Sequence, residues 1–567
     1  MKAIFRKVKK VFHAIKIQNI KAIIRYIKNN GFKGLYTTCI NKIRFGTVIL
    51  DEYKTWMANN EPSKEELEKQ RKYVSCQNLK FELIVMKTTE SLQNSIQDQT
   101  YSNFVKTEIQ DRSLLDIVTN STSDYLVLIG EDIVLPEFTL YELVKSIEYR
   151  DSIMIYADND TIIDGERKNP NFKPDFSKDT LTSENYLGNF LVIKTDFLKI
   201  HQNILQNLNK NIIYDLAFRV SEKTRKIEHI QKVLFHNITT NMEYDTEDEK
   251  KIIADYLKRC NLQYNEIIDG RYKGQYKVQY AIIGNPKVSI IIPNKDHIED
   301  LEKAISSILE KSTYRNYEIV IVENNSENKS TFEYYEKIQK ENPNKIRVAN
   351  FKIDYFNYSA LVNFGVEHAE GEYVILLNND IEIINEDWIE QMLMYAQRKD
   401  VGICGAKLYF PDRSIQHAGV TIGTRGLAGH RFREIEEKDY HRDDYINIVQ
   451  NVSAVTAACF MVRKDLYIEL LGFDEKLAVA FNDVDFCLKV RTAKYLVVYN
   501  PYVEAYHYES KSRGQDQESE DKQKRFAKEY ELFVKRWSKT IQKGDPYYNK
   551  NYRLDTDLPK INYNKIH

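Results

Sequence analysis

The chain of 567 residues has few features that would tie it to an oxidising compartment or a bilayer. Its cysteines are scattered and form no Cys-x-x-Cys pair: Cys39, Cys76, Cys260, Cys404, Cys459 and Cys487. That pattern favours a reducing compartment and argues against a zinc site built from cysteines. No apolar run is long enough to span a bilayer, and basic residues interrupt the N-terminal apolar residues, unlike those of a signal peptide. We therefore expect a cytoplasmic protein.

Acidic residues are absent from the first fifty positions, although the whole chain is balanced at 82 basic and 83 acidic residues. Apolar residues such as Ile4, Val8, Phe12 and Ile15 are spaced for one helical face. This pattern predicts a basic amphipathic helix that lets residues 1–45 bind an anionic membrane surface, on the inner face of the cell membrane. The alternative is a helix that packs on the next domain with a solvated basic face. Nucleic-acid binding is not expected, because aromatic residues do not regularly interleave the basic ones.

The length of the chain exceeds what one core usually supports, and its apolar content of 42% is sufficient for several cores. Shifts in composition along the chain divide it into five parts. These are a basic arm with a linker helix (1–75), a first α/β module (76–245), a helical linker (246–286), a second α/β module (287–514), and a C-terminal helix with a tail (515–567).

Three short apolar runs in the second module predict buried parallel strands. They are VSIIIP from Val288, YEIVIVENNS from Tyr317 and EYVILLNNDIEI from Glu372, with a helical stretch at Leu301–Leu309 after the first. This alternation is typical of a doubly wound sheet, in which ligands bind at the carboxyl ends of the strands. The polar clusters at 323–326 and 378–380 are therefore expected to share one crevice.

The two modules match each other weakly, but in the same order. Four segment pairs carry the match: 97–104 with 310–317, 123–135 with 371–383, 213–220 with 483–490, and 231–236 with the end of 500–507. Four ordered matches predict a duplication. The first module also shows no clear counterpart of the VSIIIP strand.

The differences between the copies concern residues that can carry chemistry. The alignment pairs Asp132 with Asp380, Asp215 with Asp485 and His236 with His507, but it pairs Ile213 with Asp483. Isoleucine cannot accept a proton. The first module is therefore predicted to be a degenerate copy, retained for structure or binding.

Each of the three central residues has both a functional and a structural interpretation. Asp380 ends a strand and is a hard oxygen ligand for Mg²⁺ or Mn²⁺, but it could also cap a helix or close a turn. Asp483 stands at the start of a predicted helix, where it could act as a general base or, like Asn482, serve as the N-cap. His507 could complete a metal site or be structural.

Taken together, these segments resemble glycosyltransferase family 2, whose members are inverting enzymes with the GT-A fold. VSIIIPNKD resembles the opening strand and nucleotide loop of that family, and NFGVEHAEGEYVILLNND resembles the segment that leads to its DxD motif. NDVDF resembles the ED-x-D motif, and AYHYESKSRG resembles the closing segment with a metal-binding histidine. The resemblance implies two tandem GT-A modules, which are Rossmann-like and have mostly parallel sheets.

The resemblance also implies roles for individual residues. Asp483 takes the position of the catalytic base, and Asp380 and His507 take those of ligands to Mg²⁺ or Mn²⁺. Substrate contacts are expected from Pro293, Asp296, Glu323, Asn325, Asn363, Asn378, Asn379, Thr456 and Asp485.

This sequence departs from the family pattern at several positions. Asn378 stands where the first acid of DxD is usual, Asn482 replaces the Glu of ED-x-D, and Glu323 replaces an Asp. In the first module the DxD position is Gly130-Glu131-Asp132 and the base position is Ile213. These departures weaken the expected metal site of the second module and agree with a catalytically impaired first module.

Further segments, 156–190 and 545–551 among them, resemble a bacterial subgroup with tandem modules. Enzymes of that subgroup, including rhamnosyltransferases, assemble O-antigen, capsule and cell-wall polysaccharide. We therefore expect an inverting transfer from a nucleotide-sugar donor to a growing glycan or lipid-linked glycan. Two alternatives remain open: a non-catalytic subunit that binds glycan or nucleotide, and a bifunctional enzyme with both modules active.

Overall fold

The computed structural model of the chain describes residues 52–73, 78–238, 244–439, 445–508 and 519–565. The predicted basic arm over residues 1–45 lies outside these described residues, as does the segment 509–518 that follows the closing histidine strand. Within the described ranges, no helix is both long enough and apolar enough to cross a membrane.

The first module is a sheet flanked by helices, and it is preceded by two short helices where one linker helix was predicted. Its helices are α1 (Glu52–Asn60), α2 (Lys64–Arg71), α3 (Glu90–Gln97), α4 (Leu114–Asn120), α5 (Thr139–Tyr149), α6 (Lys178–Ser183), α7 (Thr195–Ile200) and α8 (Ile212–Ser221). Its strands are β1 (Phe81–Val85), β2 (Phe104–Glu108), β3 (Tyr125–Ile129), β4 (Ile133–Val134), β5 (Met154–Ile163), β6 (Glu166–Asn171), β7 (Phe190–Lys194) and β8 (Ile227–Asn237).

The predicted helical linker contains one helix and also two strands, which the sequence interpretation missed. They are α9 (Thr246–Arg259), β9 (Tyr264–Asp269) and β10 (Tyr276–Tyr280), and the two strands pair with each other antiparallel. Tyr276, Val278 and Tyr280 of β10 are buried in a core cluster that contains residues of both modules. This part of the chain therefore packs between the modules and is not a free connection.

The second module repeats the arrangement and continues into a C-terminal helix. Its helices are α10 (Ile298–Lys311), α11 (Lys329–Glu341), α12 (Tyr358–His368), α13 (Trp388–Ala396), α14 (Lys464–Glu469), α15 (Asn482–Thr492) and α16 (Glu520–Lys543). Its strands are β11 (Val288–Asn294), β12 (Tyr317–Glu323), β13 (Ile346–Asn350), β14 (Tyr373–Leu377), β15 (Ile381–Ile383), β16 (Val401–Tyr409), β17 (Ile415–His417), β18 (Val420–Ile422), β19 (Ala428–His430), β20 (Gln450–Asn451), β21 (Cys459–Arg463) and β22 (Leu496–His507).

The order of the strands confirms the predicted repeat. The first sheet runs β2-β1-β3-β7-β5-β8-β4, and the second runs β13-β12-β11-β14-β21-β16-β22-β15. Apart from the edge strand β13, each strand of the second order has a counterpart in the first. In both sheets the opening strands are parallel. Next, β7 and β21 pair antiparallel with β3 and β14, and farther along β5 and β16 pair parallel with β8 and β22.

The first module does contain a counterpart of the VSIIIP strand, so the sequence interpretation was wrong on that point. The counterpart is β1, which occupies the same place in its sheet as β11. A shared contact supports this equivalence: the Tyr101 hydroxyl donates to the carbonyl of Leu79, two residues before β1, and the Tyr314 hydroxyl donates to that of Pro286, two residues before β11. The strand was overlooked because β1 is shorter and lacks the Pro-Asn ending.

Helix α12 lies unusually close to the second sheet, because Gly365 faces it. A Cβ atom at this position would lie 2.4 Å from Ile291 Cγ2 and 2.8 Å from Val322 Cγ2. Interiors are packed too densely to absorb such an overlap without a shift of the helix. The close approach fixes α12 against β11 and β12.

The C-terminal tail crosses from one module to the other. Asp545 accepts hydrogen bonds from Ile422 N (2.7 Å) and Ser453 Oγ (2.6 Å) in the second module. Farther along, Asn549 donates to Asp158 of the first module (3.0 Å), and Asn551 accepts from Trp56 Nε1 (3.2 Å). The DPYYNKN segment therefore holds the two modules together.

Candidate active site

Asp380 and His507 meet at the end of the second sheet. Ile381 pairs with His507 across β15 and β22, and this pairing brings Asp380 Oδ1 to 3.2 Å from His507 Nε2. Asn378 places its Nδ2 atom 3.3 Å from the same nitrogen, and the side-chain amide of Gln416 lies 2.7 Å from His507 Nδ1. With the Gln416 carbonyl turned towards Nδ1–H, the ring would keep a lone pair on Nε2 that faces Asp380.

This pair is suited to a divalent cation. Asp380 Oδ1 is buried and, within the part of the chain that the structure describes, accepts no hydrogen bond. A buried carboxylate oxygen without a donor is costly unless a cation or ligand compensates it. Within the described ranges, no three or more His, Cys, Asp or Glu side chains cluster as a metal centre. An ion here would therefore need oxygens from a substrate phosphate or water to complete its shell, as Mg²⁺ sites often do.

Asp483 lies at the start of α15 with its carboxylate half-exposed. Its Oδ2 atom accepts from Ala457 N (3.2 Å) and its Oδ1 atom from Val484 N (2.8 Å). Acidic side chains are common at this end of a helix, where unpaired backbone N–H groups point outwards. Neither Asn482 nor Asp483 is the N-cap, because the helix begins after Phe481, which has a left-handed backbone. The capping alternative from the sequence is therefore wrong.

Tyr358, the first residue of α12, connects these two parts of the site. Its hydroxyl donates to Asn378 Oδ1 (3.0 Å), beside the Asp380–His507 pair. Burial and then the carboxylates of Asp483 and Asp380 raise the pKa of the Tyr358 hydroxyl above its usual value. The phenol therefore lies within electrostatic reach of both carboxylates and stays protonated as a hydrogen-bond donor.

A chain of hydrogen bonds links this cluster to the predicted nucleotide side. Asn379 donates to Asn294 Oδ1 (2.6 Å), Asn294 donates to the Tyr335 hydroxyl (2.9 Å), and Tyr335 donates to Glu323 (2.7 Å). The Glu323 carboxylate also accepts from Ser326 N at 2.6 Å. The ends of β11, β12 and β14 thus form one crevice, as the sequence predicted.

The remaining predicted nucleotide residues shape the loops around this crevice. Pro293 is the sixth residue of β11, and Asp296 accepts from the backbone of Asn328 (2.9 Å) at the start of α11. Burial opposes ionisation of Asp296, but backbone N–H donors, that of Asn328 among them, lower the pKa of its carboxyl. Asn325 donates to Ile353 O (2.6 Å) and so joins the loop after β12 to the loop before α12.

Thr456 lies on the side of the crevice that also holds Asp483. Its backbone N–H points to His417 Nε2 at 3.4 Å, and Gly419 N lies 3.3 Å from the same atom. His417 Nδ1 is 2.8 Å from His430 Nδ1. Burial, followed by the charges of His430 and His507, lowers the pKa of His417 well below its usual value. His417 is therefore a neutral acceptor that supports the Thr456 backbone.

Two predicted substrate residues have structural partners instead. Asn363 donates to Phe473 O (3.0 Å) and accepts from the Tyr467 hydroxyl (2.7 Å), so it holds the loop after α14. Asp485 is fully buried and accepts from Arg536 (2.7 Å) and Trp537 Nε1 (2.8 Å) of α16. The structure thus gives Asp485 the role of docking the C-terminal helix, in place of the predicted substrate contact.

The predicted match of His236 with His507 is wrong by one residue. In the second sheet Ile381 pairs with His507, whereas in the first Ile133 pairs with Asn237. Backbone hydrogen bonds agree, since Tyr508 N donates to Asp380 O and Ile238 N donates to Asp132 O. Because neighbouring strand residues face opposite sides, His236 points away from Asp132 and bonds to Asp160.

Sequence reasoning missed several residues of the crevice: Asn294, Asn324, Tyr358, Gln416 and His417. Asn324 is buried, and its side-chain carbonyl has no hydrogen-bond partner in the part of the chain that the structure describes. Asn294 and Asn324 directly follow or end predicted strands, so their position alone could have pointed to them. Gln416 and His417 enter the site through the pairing of β17 with β16, which the sequence does not reveal.

Solved structures to which this chain is similar have low sequence identity to it. GalNAc-T7 with UDP, GalNAc and Mn²⁺ aligns at 12% identity and a TM-score of 0.38, over 51% of this chain and 58% of that one. The mannosyltransferase PcManGT from Pyrobaculum calidifontis, in complex with GDP-Man and Mn²⁺, aligns at 15% identity and a TM-score of 0.33, over 52% and 72%.

Curated relatives match a larger part of the sequence. The uncharacterized protein y4gI of Sinorhizobium fredii is 36% identical over 445 residues, which cover 76% of this chain and 48% of that protein. The O-antigen biosynthesis protein RfbC of Myxococcus xanthus is 31% identical over 445 residues, which cover 76% and 34%. The chain thus spans less than half the length of either relative.

The family model that matches this chain covers the core of the second module. It is described as glycosyl transferase family 2 and matches residues 289–471, from β11 to just beyond α14. The matched range contains Asp380 and the crevice residues of β11, β12 and β14, and it ends shortly before α15. The family predicted from the motifs is therefore confirmed: the second module of this chain contains a glycosyl transferase family 2 domain.

Proposed function

We propose that the second module transfers a sugar from a nucleotide-sugar donor to an acceptor hydroxyl, with inversion at the anomeric carbon. One observation carries the proposal: the Tyr358 hydroxyl bonds to Asn378 beside the Asp380–His507 pair and lies within electrostatic reach of the carboxylates of both Asp380 and Asp483. A displacement needs a place for the leaving group and a base for the attacking hydroxyl. The crevice offers both at neighbouring positions.

The two sides of the crevice have different roles in this mechanism. The loops held by Glu323, Asn325 and Asp296 receive the nucleotide, and the unpartnered carbonyl of Asn324 is an acceptor for a base N–H. Asp483 accepts the proton of the acceptor hydroxyl as that oxygen attacks the anomeric carbon. Ala457 N–H and Val484 N–H orient the Asp483 carboxylate for this transfer.

Asp380 and His507 are the residues that would hold Mg²⁺ or Mn²⁺. Such an ion, when bound, neutralises negative charge on the diphosphate leaving group. Gln416 keeps the His507 ring in place, and Tyr358 fixes the amide of Asn378 beside it. Asn378 is neutral and adds no negative charge beside Asp380 and His507. The donor diphosphate would therefore contribute a larger share of the binding of the ion than it would beside two carboxylates.

The acceptor in this proposal is a growing bacterial surface glycan, carried on a lipid. The similarity to the O-antigen biosynthesis protein of Myxococcus xanthus supports this class of acceptor. The basic segment 1–45 would then hold the enzyme at the inner face of the cell membrane. Deleting residues 1–45 should move the protein from the membrane fraction to the supernatant, and an unchanged distribution would contradict the membrane role.

A donor screen tests the transfer itself. The purified full-length chain is incubated with a panel of nucleotide sugars and a lipid-linked or free glycan acceptor, with and without Mn²⁺, and products are detected by mass spectrometry. We expect one donor to give a product that is heavier by one sugar, and Asp483→Asn to lower the rate of its formation by on the order of 10²–10⁴-fold. Transfer at the wild-type rate in Asp483→Asn would contradict the assigned base.

Replacing Asn378 with Asp is expected to tighten Mn²⁺ binding. The change adds a carboxylate beside Asp380 and His507, and affinity for hard cations rises with the number of charged ligands, here by about tenfold. Free Mn²⁺ measured by electron paramagnetic resonance gives the affinity without any turnover. The exposed Asn344→Asp variant adds the same charge elsewhere in the module. Equal affinities in the two variants would show that Asn378 does not face the ion.

The first module is proposed to be non-catalytic. Ile213 occupies the position of Asp483, Asn237 that of His507, and Asp132 is exposed. Asp132→Asn should therefore leave the transfer rate unchanged, whereas Asp380→Asn should lower it on the order of a hundredfold. Asn tolerates the positive φ of 55° at position 132, so the change is conformationally mild. A large loss in Asp132→Asn would instead indicate a second active site.

A further inference from the structure

The degenerate first module makes a buried polar contact with the segment 450–458 of the second module. Asp179, in the first turn of α6, is 1% exposed, and its Oδ2 atom accepts from Asn451 Nδ2 at 2.5 Å. Ser177 donates to Asn451 Oδ1 (3.0 Å) and accepts from Asn451 N (3.3 Å). The side chain and the backbone N–H of Asn451, itself 2% exposed, are therefore held by the other module.

The 450–458 segment continues directly into the proposed transfer site. Asn451 lies in β20, Val420 N bonds to Ala454 O, and Thr456 N faces His417. Ala457 N then donates to the Asp483 carboxylate at 3.2 Å, and Asn378 N donates to Ala458 O at 3.1 Å. A shift of this segment would move the groups that orient Asp483.

A buried cation fixes the orientation of Asp179. Arg398 donates to the other carboxylate oxygen of Asp179 and also pairs with Asp400 at 3.1 Å. Asp179 Oδ1 thus accepts from Arg398, and Oδ2 accepts from Asn451 and, at 3.5 Å, from Arg398 Nη2. An asparagine at this position has a single carbonyl oxygen, so its NH₂ group would face one of the two donors.

We propose that Asp179 of the first module is a positioning residue for sugar transfer in the second module. It acts through Asn451, which anchors the 450–458 segment and thereby the Ala457 N–H that orients Asp483. This inference rests on the proposed function. The first module would then help to position the Asp483 carboxylate of the second module.

Kinetics of two variants and their combination test the route through Asn451. Asp179→Asn and Asn451→Ala should each lower kcat about tenfold, because small displacements of catalytic groups are costly, and leave the donor KM unchanged. If Asp179 acts through Asn451, the double variant should lose no more than either single variant, whereas independent effects would multiply. Multiplying effects, or an unchanged kcat in Asp179→Asn, would overturn the proposal.

Asp215→Asn is the matched control for loss of a buried carboxylate. Asp215 is fully buried in the first module and pairs with Arg219 at 2.7 Å, with no contact to segment 450–458. The control should lose stability but keep kcat. A similar loss of kcat in the control would show that Asp179 acts only through general stability. If Asp179→Asn does not fold, Ser177→Ala removes the milder contacts to Asn451 and should give the same selective loss of kcat.

Hydrogen–deuterium exchange separates this proposal from the proposed function. Peptides that cover 450–458 should exchange faster in Asp179→Asn than in the wild type or in Asp215→Asn. A chain that shows no transfer with any donor would refute the proposed function, while the exchange experiment would still test the anchoring. Unchanged exchange in Asp179→Asn would refute the anchoring even in an active enzyme.

Discussion

Asp483→Asn is expected to reduce sugar transfer by on the order of 10²–10⁴-fold, the usual contribution of a general base. The amide has nearly the same shape and can still accept from Ala457 N and Val484 N, but it cannot take up a proton. Donor binding should therefore survive the change. The measurements are the initial rate of product formation and the dissociation constant of the donor.

Asp485→Asn is the natural comparison, because it lies two residues away on the same helix. Asp485 is fully buried against Arg536 and Trp537 of α16, so its amide variant should lose stability. Its remaining folded fraction should keep kcat. The two substitutions thus separate chemistry from docking within one turn of helix. Equal kcat losses without unfolding in both variants would contradict the separate roles given to them here.

Asp158→Ala is expected to cost about 3–5 kcal/mol of stability, the range for breaking a buried charge pair. Asp158 is fully buried and accepts from His229 Nε2 (2.8 Å), Asn549 Nδ2 (3.0 Å) and Lys173 N (2.9 Å). Alanine would remove this shared buried acceptor, and Asn549 Nδ2 would keep its bond to Lys173 O (3.0 Å), so the attachment of the tail to the first module would weaken. Urea unfolding measures the loss.

Asp151→Ala is the control for this substitution, since Asp151 pairs with Lys194 and Lys226 on the surface close to β5. We expect no measurable change in its unfolding midpoint, because exposed ion pairs are solvated and contribute little. If Asp158→Ala also left the unfolding midpoint unchanged, the attachment of the tail would not depend on the Asp158 carboxylate.

The same buried pair should make stability depend on pH. Burial alone would lower the pKa of His229, but the carboxylates of Asp158 and Asp175 raise it above its usual value. Because the pKa of His229 is raised in the folded state, its interaction with the two carboxylates stabilises the fold fully below the unfolded pKa, about 6.5. This stabilisation is lost as the pH rises through the folded pKa. Wild-type protein should therefore lose more stability above neutral pH than Asp158→Ala. Parallel pH profiles would contradict this linkage.

Much of the second module could be predicted from its sequence. The strands β11, β12 and β14 are almost completely buried, so each is a continuous apolar run that length and composition identify. The carboxyl ends of such strands meet at one edge, and that rule alone brought 323–326 and 378–380 into one crevice. Asp380, Asp483 and His507 were identified as candidates by a different signal, which is their order and spacing along the chain.

Strand register was the first feature that the sequence did not determine. An alignment of QKVLFH with NPYVEAYH matches histidine to histidine, whereas the hydrogen bonds match His507 to Asn237. A shift of one residue reverses the face of every side chain in a strand. The first module therefore lacks counterparts of both His507 and Asp483, although the sequence alignment had matched His236 to His507.

The sequence by itself determined the duplicated α/β architecture, through order, spacing and apolar patterning. Its motifs pointed, by resemblance, to the family and to three candidate site residues. These signals are local or repeat along the chain. Only the tertiary structure decided which neighbours those residues have. Tyr358, Gln416 and His417 join the site from separate segments, Asp485 is taken by α16, and Asp179 reaches Asn451 across the module boundary. Contacts between residues far apart in the chain depend on packing and register, which no local pattern of residues encodes.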